Sequence, residues 1–143
     1  MKVVRKSALV AHHVSKMYEL VKDVERYPEF LPWCGGARIV EKFDDGVVGS
    51  VDISKGKVHK TFTTRNHFTQ NSEISMQLVD GPFSQLQGAW SFHPIGEQGC
   101  RVSLYLEFDF NSTLASVTIG PVFSLIADKL LDAFVEEADR LYG

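Results

Sequence analysis

A change of hydrophobic period in the second half of the sequence constrains the fold more than any other feature. Between residues 37 and 110, apolar and polar residues alternate with the period of two that is typical of strands with one buried face. From residue 121 to residue 142 the apolar residues recur every three or four positions, which predicts a helix about 33 Å long. Short turns such as Asp45-Gly46 separate the strands and favour antiparallel pairing. The chain is therefore predicted to be α+β, with one curved antiparallel sheet around one long C-terminal helix.

Two inward-facing rows are the clearest parts of the predicted sheet. The last strand contributes Cys100, Val102, Leu104, Leu106, Phe108 and Phe110, and the strand before it contributes Leu86, Gly88, Trp90 and Phe92. Upstream, residues 3–10 are predicted to form a first strand, and Ser15 the N-cap of a helix that extends through Val24. Residues 26–36, with two prolines and two glycines, are predicted to form turns. With no linker and no internal repeat, residues 1–143 are expected to form a single domain.

Motifs of catalysis and cofactor binding are absent from the sequence, which favours a non-enzymatic protein. It contains no nucleophile elbow, phosphate-binding loop, zinc-protease motif or dinucleotide fingerprint. His59 and His67 would lie about 26 Å apart along a strand, too far to bind one ion, so no metal and no required cofactor are expected. Cys34 and Cys100 are interpreted as reduced thiols. Since the chain has neither an apolar run long enough to span a membrane nor a signal-peptide core, the expected location is the cytoplasm.

Aromatic residues are abundant, and most of the phenylalanines and tryptophans fall on rows that face the C-terminal helix. The chain has ten Phe, four Tyr and two Trp. All four tyrosines are placed at margins or on outward positions. An ordinary packed core explains each ring taken singly.

Taken together, the inward rings favour an apolar cavity for a hydrophobic ligand. A curved sheet closes loosely around a helix, and Gly49 and Gly88 on the inward rows are expected to leave space unfilled. The predicted ligand-binding residues are Phe30, Trp33, Phe62, Phe83, Trp90, Phe110, Phe123 and Leu130. Phe30 and Trp33, in the proline-rich segment, are expected to form a lid or mouth.

Charge is unevenly distributed, although the formal net charge is only −3. This net charge argues against a generic nucleic-acid binder, and no DNA partner is expected. Residues 53–72 nevertheless contain no Asp or Glu. The cations in this stretch are candidate contacts to RNA: Lys55, Lys57, Lys60 and Arg65. The alternative is that charge keeps an exposed strand soluble and prevents edge pairing, and the sequence leaves both interpretations open.

Six segments, in order along the chain, carry a resemblance to a known family. They are 5–10 (RKSALV), 17–21 (MYELV), 27–34 (YPEFLPWC), 60–66 (KTFTTRN), 80–83 (DGPF) and 90–92 (WSF). This set resembles the coenzyme Q-binding, START-like proteins over essentially the whole chain. The resemblance implies a helix-grip fold of the START/Bet v 1 type with the element order β-α-α-β₆-α, which agrees with the elements predicted above.

The resemblance implies two competing functions. Mitochondrial members bind ubiquinone in the cavity and support cellular respiration, whereas a bacterial toxin–antitoxin branch binds the large ribosomal subunit and blocks subunit association. The first function needs an apolar interior, because a lipid tail gains about 0.8 kcal/mol per buried CH₂; the second needs a surface that meets phosphate. Binding of ubiquinone or a similar isoprenoid is preferred and is compatible with peripheral contact at the inner membrane, with the ribosome-directed toxin as the alternative. The polyketide cyclase label of the wider family finds no supporting residue pattern here.

Overall fold

The computed structural model describes all residues from Met1 to Gly143 and confirms the predicted α+β architecture. The strands are β1 (Lys2–Val10), β2 (Cys34–Phe43), β3 (Gly46–Lys55), β4 (Val58–Thr69), β5 (Glu73–Asp80), β6 (Phe83–Ile95) and β7 (Gly99–Phe110). The helices are α1 (Val14–Lys22), α2 (Tyr27–Phe30), α3 (Thr113–Thr118) and α4 (Gly120–Tyr142), and a 3₁₀ turn spans Val24–Arg26. All strands form one antiparallel sheet in the order β1-β7-β6-β5-β4-β3-β2. The short helix α3 is an addition to the predicted element order.

The concave face of the sheet carries the apolar rows that the alternation predicts. In the register of β6 with β7, Leu86 lies beside Phe108 and Trp90 beside Leu104, and all four side chains are buried. Because side chains alternate along a strand, every second residue of these two strands points toward the same side. Helix α4 covers that side with its own buried residues, which include Phe123, Ile126, Ala127, Leu131, Phe134 and Ala138.

Helix α4 carries one buried carboxylate on the side that faces the molecule. Pro121 occupies the first turn of the helix, as predicted from its fixed φ angle. Near the other end, the side chain of Glu137 is only 4% exposed. Arg140 donates two hydrogen bonds of 2.7 Å to the Glu137 carboxylate, and Arg26 donates one of 3.2 Å. These bonds, those from Arg140 above all, hold the pKa of Glu137 below its usual value in spite of its burial, and they fasten the 3₁₀ turn to α4.

Helices α1 and α2 lie between β1 and β2, and α3 and α4 follow β7. None of the helices combines the length and apolarity needed to cross a bilayer. The first one starts and ends differently from the prediction. His13, rather than Ser15, is the N-cap of α1: its Nδ1 atom accepts a hydrogen bond of 3.1 Å from the Ser15 backbone N–H. The helix ends before Asp23, whose φ of −82° and ψ of 74° lie outside the helical region, instead of continuing through Val24.

One tyrosine is buried and a second is partly buried, so the prediction that all four lie at margins or outward positions is wrong. Tyr18 on α1 is 2% exposed and packs edge-on against Phe92, with ring centroids 5.7 Å apart. Tyr27 on α2 packs edge-on against Phe134, and its hydroxyl donates a hydrogen bond to the backbone carbonyl of Val21. A tyrosine ring is readily buried when its hydroxyl finds such a partner, which a hydrophobic pattern does not reveal.

Candidate ligand-binding cavity

A cavity of about 80 Å³ lies between the concave face of the sheet and helix α4. Its wall is built by β3 to β7, by the segment between α1 and β2, and by α4. Fifteen of the eighteen residues that line it are hydrophobic, and none of them carries an acidic or basic side chain. An apolar wall with a few polar groups is the arrangement that suits a hydrophobic small molecule.

The structure brings five of the eight predicted ligand-binding residues to this cavity. They are Trp33, Phe62, Trp90, Phe123 and Leu130. Alternation along the strands turns Phe62 of β4 and Trp90 of β6 toward the concave face. Phe123 and Leu130 lie seven residues apart, about two helical turns, and therefore share one side of α4.

Phe30, Phe83 and Phe110 lie outside the cavity wall, and their role in ligand binding stays a prediction. Phe83 stacks on Phe110 with ring centroids 5.2 Å apart, and both rings also pack edge-on against Phe123. Phe30 packs against Phe134, with centroids 5.2 Å apart, and lines an external groove.

Nine of the aromatic rings form two clusters. The Phe108 cluster consists of Phe62, Phe83, Phe108, Phe110 and Phe123, whose neighbouring centroids are 4.7–6.4 Å apart. The Phe134 cluster consists of Tyr27, Phe30, Trp90 and Phe134, with neighbouring centroids 5.0–6.2 Å apart. The cavity is lined by members of both clusters, namely Phe62 and Phe123 from the first and Tyr27, Trp90 and Phe134 from the second. It therefore occupies space that neither cluster fills.

Trp33 and Ile126 mark the boundary between the cavity and solvent. Both residues line the cavity and also an external groove of about 600 Å³. Lys55 and Lys129 line the groove but not the cavity. This places Trp33 at the mouth, whereas Phe30 belongs to the groove alone.

Beside the fifteen hydrophobic residues, which include Tyr27, the wall contains Gly49 and two polar side chains, Thr64 and Asn66. The sequence argument does not single out these two or the hydroxyl of Tyr27. Thr64 and Asn66 are each 7% exposed, and Oγ1 of Thr64 donates a hydrogen bond of 2.8 Å to Oδ1 of Asn66. Burial raises the pKa of Tyr27 far above its ordinary value, so its ring stays neutral. The alternation that turns Thr63 and Arg65 outward also implies that Thr64 and Asn66 point inward, and this signal could have identified the pair.

Only one of the two glycines expected to leave space borders the cavity. A Cβ atom at Gly49 would lie 3.6 Å from Cγ1 of Val24, an ordinary contact, and Gly49 lines the cavity. A Cβ atom at Gly88 would lie 2.2 Å from the backbone oxygen of Tyr105. The prediction for Gly88 is therefore wrong: it permits a close approach of strands β6 and β7 and leaves no room for a ligand.

The four candidate RNA contacts do not form a single row. Lys55 and Lys57 flank the turn between β3 and β4, and the register of these strands puts Lys60 on the concave side. Arg65 lies on the convex side, about 17 Å further along β4 than Lys60. Its guanidinium lies 4.2 Å from the ring centroid of Phe43. The three lysines thus cluster at the tip of the β3–β4 hairpin, and Arg65 is separate from them.

Acidic side chains from outside the 53–72 stretch lie beside its convex face. Asp52 accepts a hydrogen bond of 2.6 Å from Thr61 and lies 3.3 Å from Arg38. These contacts, the bond from Thr61 foremost, hold the pKa of Asp52 below its usual value. Nε2 of His67 lies 3.0 Å from a carboxylate oxygen of Asp45. Although residues 53–72 contain no Asp or Glu, acidic side chains from neighbouring parts of the chain therefore lie beside them in the structure.

An antiparallel sheet that wraps a long helix around an internal apolar cavity defines a helix-grip domain of the α+β class. Residues 10–135 match the model of the polyketide cyclase/dehydrase and lipid transport family, and the chain belongs to that family. The START-like resemblance found in the sequence is thereby confirmed.

Known proteins extend this assignment along the whole chain. The ribosome association toxin RatA of Vibrio cholerae serotype O1 is 45% identical over 143 residues, covering 100% of this chain and 99% of that protein. The mitochondrial coenzyme Q-binding protein COQ10 of Drosophila melanogaster is 26% identical over 142 residues, covering 96% of this chain and 59% of that protein. The crystal structure of the Zhui aromatase/cyclase from Streptomyces sp. R1128 superposes with a TM-score of 0.80 at 17% identity, covering 97% of this chain and 94% of that one. The fold therefore occurs in a named enzyme as well as in proteins named for binding and association.

Proposed function

We propose that this protein binds a hydrophobic small molecule, ubiquinone or a similar isoprenoid lipid, in the cavity between the sheet and α4. The observation that carries the proposal is the wall, in which fifteen of eighteen residues are hydrophobic. Each CH₂ group buried there contributes about 0.8 kcal/mol, so a lipid tail binds without a charged anchor. The similarity to a protein named for coenzyme Q binding supports this choice of ligand.

The size of the cavity determines how such a ligand would enter. A volume of about 80 Å³ holds only part of a ring-and-tail molecule. The remainder would extend past Trp33 and Ile126 into the external groove, or the wall would widen around it. Binding is therefore expected to change the environment of Trp33, which sits at that boundary.

The proposed activity is binding without turnover. The wall contains no Asp, Glu, His, Cys, Lys or Arg, which are the side chains that most often act as general acids, general bases or nucleophiles. Tyr27 is the one titratable residue of the wall, and its hydroxyl is already bonded to a backbone carbonyl. The Zhui aromatase/cyclase shares the fold, but no group that could transfer a proton near neutral pH borders this cavity.

Extraction of the purified protein with organic solvent, followed by mass spectrometry, tests the proposal. We expect a quinone or another isoprenoid lipid in the extract, and saturable binding when the stripped protein is titrated with ubiquinone. Leu130→Glu places a carboxylate in the cavity wall and should abolish both signals. Leu141→Glu is the matched control, because Leu141 lies on the same helix but is 39% exposed and outside both the cavity and the external groove. Absence of any lipid and of any saturable binding in the unaltered protein would refute the proposal.

We propose as a second candidate that the protein associates with the large ribosomal subunit. The specific observation in its favour is 45% identity, over the full length of both chains, to a protein named as a ribosome association toxin. The candidate contact surface is the lysine cluster at the β3–β4 tip, Lys55, Lys57 and Lys60, together with Arg65 on the convex face. Phosphate contacts of this kind make binding strongly dependent on salt. Such an activity requires a cytoplasmic location.

Co-sedimentation with ribosomal subunits at moderate salt tests the second candidate. The double substitution Lys57→Glu with Arg65→Glu should weaken co-sedimentation. The control, Lys6→Glu, makes the same kind of charge change at an exposed position on β1, the opposite edge of the sheet from β2. Unchanged co-sedimentation of the double variant would show that these cations are not the contact.

A further inference from the structure

The cavity contains one polar feature that its packing does not require. Thr64 and Asn66 lie two residues apart on the concave side of β4, among hydrophobic wall residues, and each is 7% exposed. Burying a polar side chain in apolar surroundings is unfavourable unless its hydrogen-bonding groups find partners. The pair satisfies only part of that requirement internally, through the 2.8 Å bond from Oγ1 of Thr64 to Oδ1 of Asn66.

Counting hydrogen atoms shows what remains available. The hydroxyl of Thr64 carries one donor hydrogen and the amide of Asn66 carries two. The bond between the two side chains uses one of these three, whichever way the amide is oriented, and no other side-chain hydrogen bond reaches either residue. No fully enclosed side-chain nitrogen or oxygen in the protein lacks a partner, so the unused donors are open, and the space they border is the cavity.

The electrostatic character of the wall narrows what these donors can bind. No charged side chain lines the cavity, and burial keeps Tyr27 neutral. A carboxylate or phosphate placed there would be an uncompensated buried charge, which is strongly unfavourable. Trp90, also in the wall, adds an indole N–H that makes no hydrogen bond within the protein and can only donate. The polar part of the cavity thus favours a neutral group that accepts hydrogen bonds.

We propose that Thr64 and Asn66 recognise the head group of the ligand, and that this head group is a neutral carbonyl-type oxygen to which the Asn66 amide donates. The inference rests on the proposed function, since it assigns the polar end of a ligand whose apolar part fills the same cavity. It excludes fatty acids and phosphorylated lipids from this orientation, because their anionic heads would meet no positive charge.

Two probes of matched tail length separate head-group recognition from apolar burial. They are 2-decyl-1,4-benzoquinone, which has two carbonyl oxygens, and decylbenzene, which has none. Titration of the full-length protein should give a dissociation constant at least about tenfold lower for the quinone, the size expected for one satisfied buried donor. Asn66→Leu, of similar volume, should bind the quinone about tenfold more weakly and decylbenzene as well as the unaltered protein does.

Two further variants complete the test. Thr64→Val keeps the shape of the side chain and removes the hydroxyl that donates to Oδ1 of Asn66 and so orients its amide. It should therefore also lower affinity for the quinone alone, and it decides the matter if Asn66→Leu does not fold. Thr69→Val makes the same change at an exposed position of β4 outside the cavity and should leave the affinity for both probes unchanged. Equal quinone affinity in the unaltered protein and in a folded Asn66 or Thr64 variant would overturn the head-group assignment while leaving the proposed function standing. Failure of both probes to bind the unaltered protein would instead count against the proposed function itself.

Discussion

The two aromatic clusters show that the density of rings and the position of the cavity are separate properties of this fold. In the Phe108 cluster, three of five members do not line the cavity, and Phe108 itself is 1% exposed. In the Phe134 cluster, three of four members line the cavity, and two members are held by the four-residue helix α2. The first cluster joins the start of α4 to long strands, whereas the second joins its later turns to a short segment at the mouth. Four of the five cluster rings that line the cavity nevertheless lie on long strands or on α4, and of the two rings on α2 only Tyr27 borders the cavity. The position of the cavity therefore does not follow from the length of the element that carries a ring.

Removing a ring from the Phe108 cluster should have the largest effect of any single change. Phe108→Ala deletes a side chain whose ring contacts Phe83, Phe110 and Phe123 at centroid distances of 6.4, 5.9 and 4.7 Å. The lost burial and the cavity left behind should lower the free energy of unfolding by about 3–5 kcal/mol, measured by chemical denaturation. Phe30→Ala, at the half-buried edge of the Phe134 cluster, should cost about 1 kcal/mol. Equal losses in the two variants would break the distinction between the clusters.

The ion pairs of Glu137 with Arg26 and Arg140 are expected to stabilise the end of α4 that carries Phe134. Glu137→Gln removes the charge that Arg140 and Arg26 face, and it should lower the free energy of unfolding by about 2 kcal/mol near neutral pH. Because the pKa of Glu137 is lowered in the folded protein, its contribution is present above the ordinary pKa of a glutamate and is lost as the pH falls through the folded-state value.

The acid dependence of stability distinguishes this role from simple packing. Denaturation midpoints of the unaltered protein and of Glu137→Gln should converge as the pH falls from about 7 to about 3. Glu136→Gln, one residue earlier on the partly exposed side of α4, is the matched control and should leave the acid dependence unchanged. A difference between Glu137→Gln and the unaltered protein that persists at low pH would show that the charge is not what stabilises this end.

Gly88 lies on β6 between two buried residues that point to the concave side, Leu86 and Trp90. Gly88→Ala would bring a methyl group to 2.2 Å from the Tyr105 carbonyl oxygen, so strands β6 and β7 would have to move apart. We expect a loss of about 1–3 kcal/mol in the free energy of unfolding. A thermal unfolding curve like that of the unaltered protein would show that the strands absorb the methyl group without strain.

The rows and the long helix could be predicted from the sequence because each repeats a single period without interruption. Residues 100–110 alternate strictly, and residues 123–141 keep a spacing of three or four, so the faces of β7 and α4 follow directly. The period of the pattern predicts the side of the strand or helix to which a side chain points. It does not predict which residues that side chain contacts. Phe62 and Phe83 both point inward, yet only Phe62 meets the cavity, because the rings of Phe110 and Phe123 already surround Phe83.

The polar features were harder to predict for a related reason. Attention to charge grouped Lys60 with Arg65, although their positions differ by an odd number and must face opposite sides of the strand. The same alternation places Thr64 and Asn66 on the concave side, where both are buried. Because neither side chain is charged, the charge pattern of the sequence does not identify them. The cap at His13 depends on one local hydrogen bond and has no periodic signal at all.

Gly49→Ala should have the smallest effect on stability and a selective effect on binding. The added methyl group would make ordinary contacts with Val24, at 3.6 Å, and would point into the space that neither aromatic cluster fills. The free energy of unfolding should change by no more than about 0.5 kcal/mol, in contrast to Gly88→Ala on β6, which β4 and β5 separate from β3. Affinity for 2-decyl-1,4-benzoquinone should nevertheless fall severalfold, because the cavity is small enough for one methyl group to displace part of the ligand. A loss of affinity without a loss of stability would show that Gly49 borders the ligand site and not the packed core. Unchanged affinity would show that the ligand does not occupy the space between the two aromatic clusters.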